Sequence, residues 1–132
     1  MMQPRTVFLA RLVGLFLLFL ALAMLVQRGA IEPALYALVE DRAALLVVAM
    51  IGLLGGLAMI LWHNIWSGGP LPVVVTLIGW SLLIRNSLLL FLPSEAVVAL
   101  FQAFHVDQLY YLYAVIDLAI GIYLTYAGFR RR

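Results

Sequence analysis

The stretch AALLVVAMIGLLGGLAMILW, Ala43–Trp62, decides the fold class. It runs through 20 residues without a charge, and a helix of that length, at 1.5 Å per residue, crosses a hydrocarbon core of about 30 Å. Three further stretches of similar length and character follow the same rule: Val7–Val26, Val73–Leu92 and Leu109–Gly128. In lipid only helices and closed barrels satisfy the backbone. Leu- and Ala-rich runs without alternating polarity select helices over barrel strands. The expected fold is an all-α polytopic membrane four-helix bundle, a single transmembrane domain over residues 1–132.

Composition points the same way. Hydrophobic residues make up 67% of the chain and charged residues 11%, against roughly 45–50% and about 25% in a soluble domain. A water-soluble fold of this size cannot hide so much apolar surface. Cysteine is absent, which excludes disulfides and thiolate metal sites. The net charge of +2 rests on arginine alone, since there is no lysine. Three arginines form the Arg130–Arg132 run beside a hydrophobic segment, a topology signal rather than a nucleic-acid patch.

The first stretch has a competing reading as a signal peptide, with Met1–Arg5 as a basic leader and a small-residue site at Ala21–Ala23. Its apolar run continues to Val26, long for such a segment, so an uncleaved span is expected. Arg5, Arg11 and Arg130–Arg132 gather at the chain ends, whereas the segments from Gln27 to Arg42 and from Pro93 to Gln108 hold two arginines and five of the six acids. By the positive-inside rule both termini are expected on the cytoplasmic side. Trp62 and Trp66 at the inner hairpin, Tyr110, Tyr111 and Tyr113 at the outer end and Tyr123 and Tyr126 at the inner end suit interfacial belts.

Both outer segments carry helix signals. Proline lies near a start in Glu32–Val39, and Ser94 with Glu95 reads as a capping serine before an acid in Ser94–Phe101. Each is expected to be a short helix on the membrane surface. The chain then reads as span, surface helix, span, twice over, the pattern of a weak parallel repeat.

Polar and small residues inside the spans mark the packing faces. Gly52 and Gly56 have a small-xxx-small spacing, expected to pack within the bundle, with a dimer seam as the alternative. Asp107, Tyr110, Ala114, Asp117, Gly121, Thr125 and Gly128 share one face of the fourth span. Asp117 lies roughly 14 Å below the outer boundary and Arg85 roughly 10 Å. An ionised carboxylate at such depth costs about 2.5–3.5 kcal/mol. An intramembrane Arg85–Asp117 pair with Asn86 bonding into it is therefore expected; snorkelling of Arg85 and a charge relay are the alternatives. The seam between the halves is expected along the Gly52/Gly56 and Asp117/Gly121/Thr125 faces. Arg11 is expected to snorkel to the phosphates without further role.

The hairpin His63–Pro72 has Gly68 and Gly69 for a tight turn and Pro70 or Pro72 for the next helix start. His63 has no second ligand spaced to join it in a metal site. It is expected to cap the second span or to bond Thr76 or Thr125. No catalytic, cofactor-binding or metal residue is expected.

The hairpin motif His63-Asn64-Ile65-Trp66, followed by Thr76-Leu77-Ile78-Gly79-Trp80 and then Pro93, resembles a family of small uncharacterised bacterial inner-membrane proteins with an H-N-x-W hairpin and a T-x-x-G-W third helix. The plan of two hairpin-like halves is also similar to the DoxX-like group. Family members tend to carry Lys-Gly after the G-W segment, where this chain has Arg85-Asn86. The resemblance implies an inner-membrane four-helix protein and carries no activity. Three functions are open. The first is a non-enzymatic structural or accessory subunit, whose partners would be membrane lipids and a larger membrane complex or further copies of itself. The second is an oligomeric solute or proton pathway lined by Asp117, Arg85, Asn86 and Thr125. The third is a lipid- or quinone-binding protein using His63 and the tryptophans.

Overall fold

The computed structural model describes residues 3–130, which form six helices: α1 (Pro4–Val26), α2 (Arg28–Glu40), α3 (Arg42–Trp62), α4 (Pro70–Phe91), α5 (Ser94–Ala103) and α6 (Val106–Arg130). The fold is all-α, and α1, α3, α4 and α6 are each long and apolar enough to cross a membrane. Met1, Met2, Arg131 and Arg132 lie outside the described residues.

Local chemistry sets the boundaries. Pro4 and Pro70 stand in the first turns of α1 and α4, where the missing N–H costs nothing. Asp41 caps α3, accepting from the Ala44 N–H at 3.2 Å. Gly68 and Gly69, with φ of 90° and 114°, turn the chain into α4. Between α5 and α6 the turn uses His105 at φ 50°. Helices α1, α4 and α6 begin three residues before the apolar stretches do, with polar residues in the first turns of α1 and α6 and Pro70-Leu71-Pro72 in that of α4. The surface helices correct two expectations. Helix α2 starts at Arg28, one turn early, and holds Pro33 inside it, one turn after an exposed Gly29. Ser94 caps nothing; Pro93 is the N-cap of α5, its carbonyl taking the Val97 N–H at 3.1 Å.

The spans pack as two close pairs, α1 with α6 and α3 with α4, joined more loosely through α1 and α4 and through α2 and α5. Exchanging the two halves, α1–α3 for α4–α6, carries the first pair onto the second and leaves the α1–α4 and α2–α5 contacts in place. The mid-helix glycines match: Gly14 is the eleventh residue of α1 and Gly79 the tenth of α4, Gly121 the sixteenth of α6 and Gly56 the fifteenth of α3. A side chain on Gly14 would strike the Thr125 backbone nitrogen at 2.6 Å, and one on Gly121 that of Leu18 at 2.8 Å. Gly56 abuts the Leu83 backbone, and Gly52 receives the Asn86 side chain. The expected seam faces are thus found in contact, but in two separate interfaces: Gly52/Gly56 faces α4, and Gly121/Thr125 faces α1. Both serve packing within the chain.

Each span's last carbonyls, which have no partner in their own helix, are met by a side chain from another span. The Tyr110 hydroxyl donates to Met24 O in α1 at 2.7 Å, and Arg5 to Trp62 O in α3 at 2.9 Å. Arg42 reaches Leu89 O and Leu90 O in α4, both at 3.4 Å. Arg11 donates to Gly128 O in α6 at 2.9 Å and lies over the Phe129 ring. Arg11 therefore ties α1 to α6, more than a snorkelling charge. Tyr110 is wholly buried, a core residue instead of a belt residue. At the surface-helix end Arg28 bonds Glu32 at 2.7 Å and Asp107 O at 3.0 Å, while Tyr36 of α2 meets Phe101 of α5 edge-on.

Candidate functional site: two lateral clefts and a locked histidine

His63 sits where α3 ends, 1% exposed. Its Nε2 lies 2.8 Å from the Thr6 hydroxyl and its Nδ1 3.1 Å from the Thr76 hydroxyl. The tautomer follows from proton counting. The Thr76 hydroxyl donates its one proton to Ile65 O at 2.8 Å and accepts the Ile65 N–H at 3.1 Å. It can only accept from the ring, so Nδ1 carries the proton. The neutral Nε2 then accepts from Thr6. Burial, with the Arg5 cation close by, holds the ring below its ordinary pKa. His63 thus joins α1, α4 and the 63–69 loop as a neutral strut. Of its two expected partners Thr76 is met and Thr125 is not; Thr6, in a first turn with no motif around it, carries no sequence signal. Asn64 completes the hairpin, its Oδ1 accepting from the Trp66 indole at 2.7 Å and the Trp80 indole at 3.4 Å.

The intramembrane polar residues separate. Asn86 is buried against Gly52 and donates to Leu82 O at 2.7 Å. Thr125 Oγ1 is buried against Gly14 without a hydrogen-bond partner. Arg85 and Asp117 face a common cleft. Their charges are near enough to attract, but no hydrogen bond or ion pair joins them. The expected contact pair is a facing pair across a gap, and Asn86 has no share in it. The reason is helical phase: Arg85 lies about 100° round α4 from Asn86, so when Asn86 faces α3, Arg85 faces outward.

That cleft lies between α4 and α6 with Leu17 of α1 at its floor and encloses about 620 Å³. Ile78, Ser81, Leu82, Arg85, Leu88 and Leu89 follow one face of α4 down its wall. Leu100 of α5 and Phe104 just after that helix close the upper end, and Asp117 and Ile120 form the opposite wall. Its sister under exchange of halves is the α1/α3 gap, about 350 Å³, lined by Phe8, Leu9, Leu12, Val13, Gly55, Ala58, Met59, Trp62 and Leu82. Those residues are all uncharged. This cleft lies toward the hairpin end and the α4/α6 cleft toward the surface helices. No group of three or more potential metal ligands occurs among the described residues.

Comparisons with family models, with curated proteins and with solved structures find no match to the chain.

Proposed function

We propose that this is a non-enzymatic integral protein of a bacterial inner membrane, with both chain ends cytoplasmic, acting as a structural or accessory subunit of a membrane assembly. The observation that carries the reading is the fate of the polar side chains. His63, Asn86 and Thr125 are each taken up in a different internal contact. A solute pathway needs such groups in one continuous line, whereas the two that stay open, Arg85 and Asp117, face one lateral cleft. The outward faces are instead mostly apolar, from Phe16 and Phe19 to Leu54, Leu61, Phe91 and Ile122, with Arg85 the exposed charge within α4. Such faces suit lipid and the helices of a partner. The H-N-x-W and T-x-x-G-W resemblance supports the bacterial inner membrane, and the arginines at the chain ends support the orientation.

Because the chain lacks cysteine, single introduced thiols test the topology cleanly. In intact cells a membrane-impermeant maleimide is expected to label Glu95→Cys and to spare Ser67→Cys until the membrane is opened. The accessory role is tested by purification from native membranes in mild detergent. A larger membrane protein retained at fixed stoichiometry supports it, and a monodisperse chain without a partner contradicts it.

A further inference from the structure

Arg85 stands apart from the other arginines. Among the six described, five make a hydrogen bond or lie over an aromatic ring: Arg5, Arg11, Arg28, Arg42 and Arg130. Four of these donate to backbone carbonyls of another helix. Arg85 has neither kind of contact, although it sits mid-span on the wall of the α4/α6 cleft. Asp117 faces it from the other wall and likewise accepts no hydrogen bond. The sister cleft between α1 and α3 holds no charge. Neither Arg85 nor Asp117 is tied to the rest of the fold by a hydrogen bond or an ion pair.

We propose that the α4/α6 cleft binds a neutral lipid whose small head carries a hydroxyl beside an ester carbonyl, of the monoacyl- or diacylglycerol kind. The proposal goes beyond the accessory role and does not depend on it. Three features select the occupant. The walls above and below the charges are apolar, and exposed Ile84, Arg85 and Leu88 open the cleft sideways. Entry is thus from the lipid, and α5 covers the end nearest the surface. The two charges are opposite: an anionic head meets Asp117 and a cationic head meets Arg85, each a repulsion in a medium of low dielectric. A neutral dipolar head satisfies both walls, its carbonyl accepting from the guanidinium and its hydroxyl donating to the carboxylate. The volume of about 620 Å³ also falls within the range of small-molecule sites.

The test is photolabelling of the purified full chain in phosphatidylcholine vesicles with a diacylglycerol bearing a diazirine on its acyl chain. Adducts are expected on the segments around Leu82, Leu88 and Ile120, and unlabelled diacylglycerol should compete them away. Arg85→Gln or Asp117→Asn should weaken that competition by about tenfold, the loss of one hydrogen bond to a charged group. Labelling around Leu12 and Ala58 in the sister cleft should stay unchanged. If either variant fails to fold, Ser81→Phe, which fills the cleft and spares both charges, should abolish the specific adducts. Equal labelling of both clefts, indifferent to the variants, would mean bulk lipid and overturn the proposal. So would stronger competition by phosphatidylglycerol, which assigns Arg85 to an anionic head. Exclusion of the probe in native membranes but not in the vesicles gives the cleft to a partner's helix and overturns it too.

Discussion

The α1/α3 and α4/α6 clefts lie between equivalent helices of the two halves, the first toward the hairpin end and the second toward the surface helices, and they differ in charge. The first is lined wholly by uncharged residues, chiefly Phe8, Leu12, Met59 and Trp62. The second has Arg85 and Asp117 on opposite walls. Both exist because the close contacts lie elsewhere, in the α1–α6 and α3–α4 pairs, so neither gap has to be filled by the chain itself. The comparison separates what the fold needs from what it merely carries. It needs the glycine contacts and the capping arginines. It carries two mid-span charges that the sister cleft does without.

The largest effect is expected where the pairs, and hence both clefts, are broken. Gly14→Leu drives a side chain into the Thr125 backbone, which cannot step aside as a flexible side chain could. A loss of about 3 kcal/mol or more is expected, read as a collapse of the unfolding midpoint in detergent. Gly55→Ala, with nothing within 4 Å of the added methyl, is the neutral control. Next comes the change that makes the charged cleft resemble its sister. Asp117→Leu removes a costly carboxylate from the half-buried cleft wall and is expected to raise stability by about 2 kcal/mol. A loss of similar size would mean that Asp117 supports the fold after all. Thr125→Val replaces a hydroxyl that has no partner with a group of the same shape, and a gain of about 1 kcal/mol is expected.

The pH dependence should be smaller still and belongs to the hairpin end. His63 titrates below its ordinary value of 6.5 in the folded chain. The unfolded chain therefore binds that proton first. Stability from His63 is complete above 6.5 and is lost as pH falls below it, until the folded ring itself protonates. The midpoint should drop as pH falls through and below 6.5, and His63→Gln should flatten that drop.

Much of this architecture was legible in the sequence, and the reason it stopped where it did is physical. The spans, the surface helices and the Gly52/Gly56 and Gly121/Thr125 faces could be read because length and small residues mark them. Which span meets which could not. In lipid the outer face of a helix is as apolar as its inner face, so hydrophobic periodicity does not point inward. In α1 only Gly14, a single glycine among leucines and phenylalanines, signals the α6 contact. The Arg85–Asp117 expectation came from matching depths alone; depth does not fix the phase of a helix about its axis, and that phase leaves the two across a gap. The carbonyl caps by Arg5, Arg11 and Arg42 depend on spans distant in sequence coming together, so no local motif announces them. The sister-cleft relation likewise appears only once the pairs are known.

The arrangement of the spans as α1–α6 and α3–α4 pairs underlies every other statement, and the absence of native cysteine opens it to direct measurement. A Cβ on Gly128 would lie 3.3 Å from that of Ala10, and one on Gly79 would lie 3.2 Å from that of Met59, close to the spacing a disulfide spans. Ala10→Cys/Gly128→Cys and Met59→Cys/Gly79→Cys should both close intramolecular disulfides on mild oxidation in native membranes. Closure of the second with persistent failure of the first would contradict the account, because α1 would then pack against some helix other than α6.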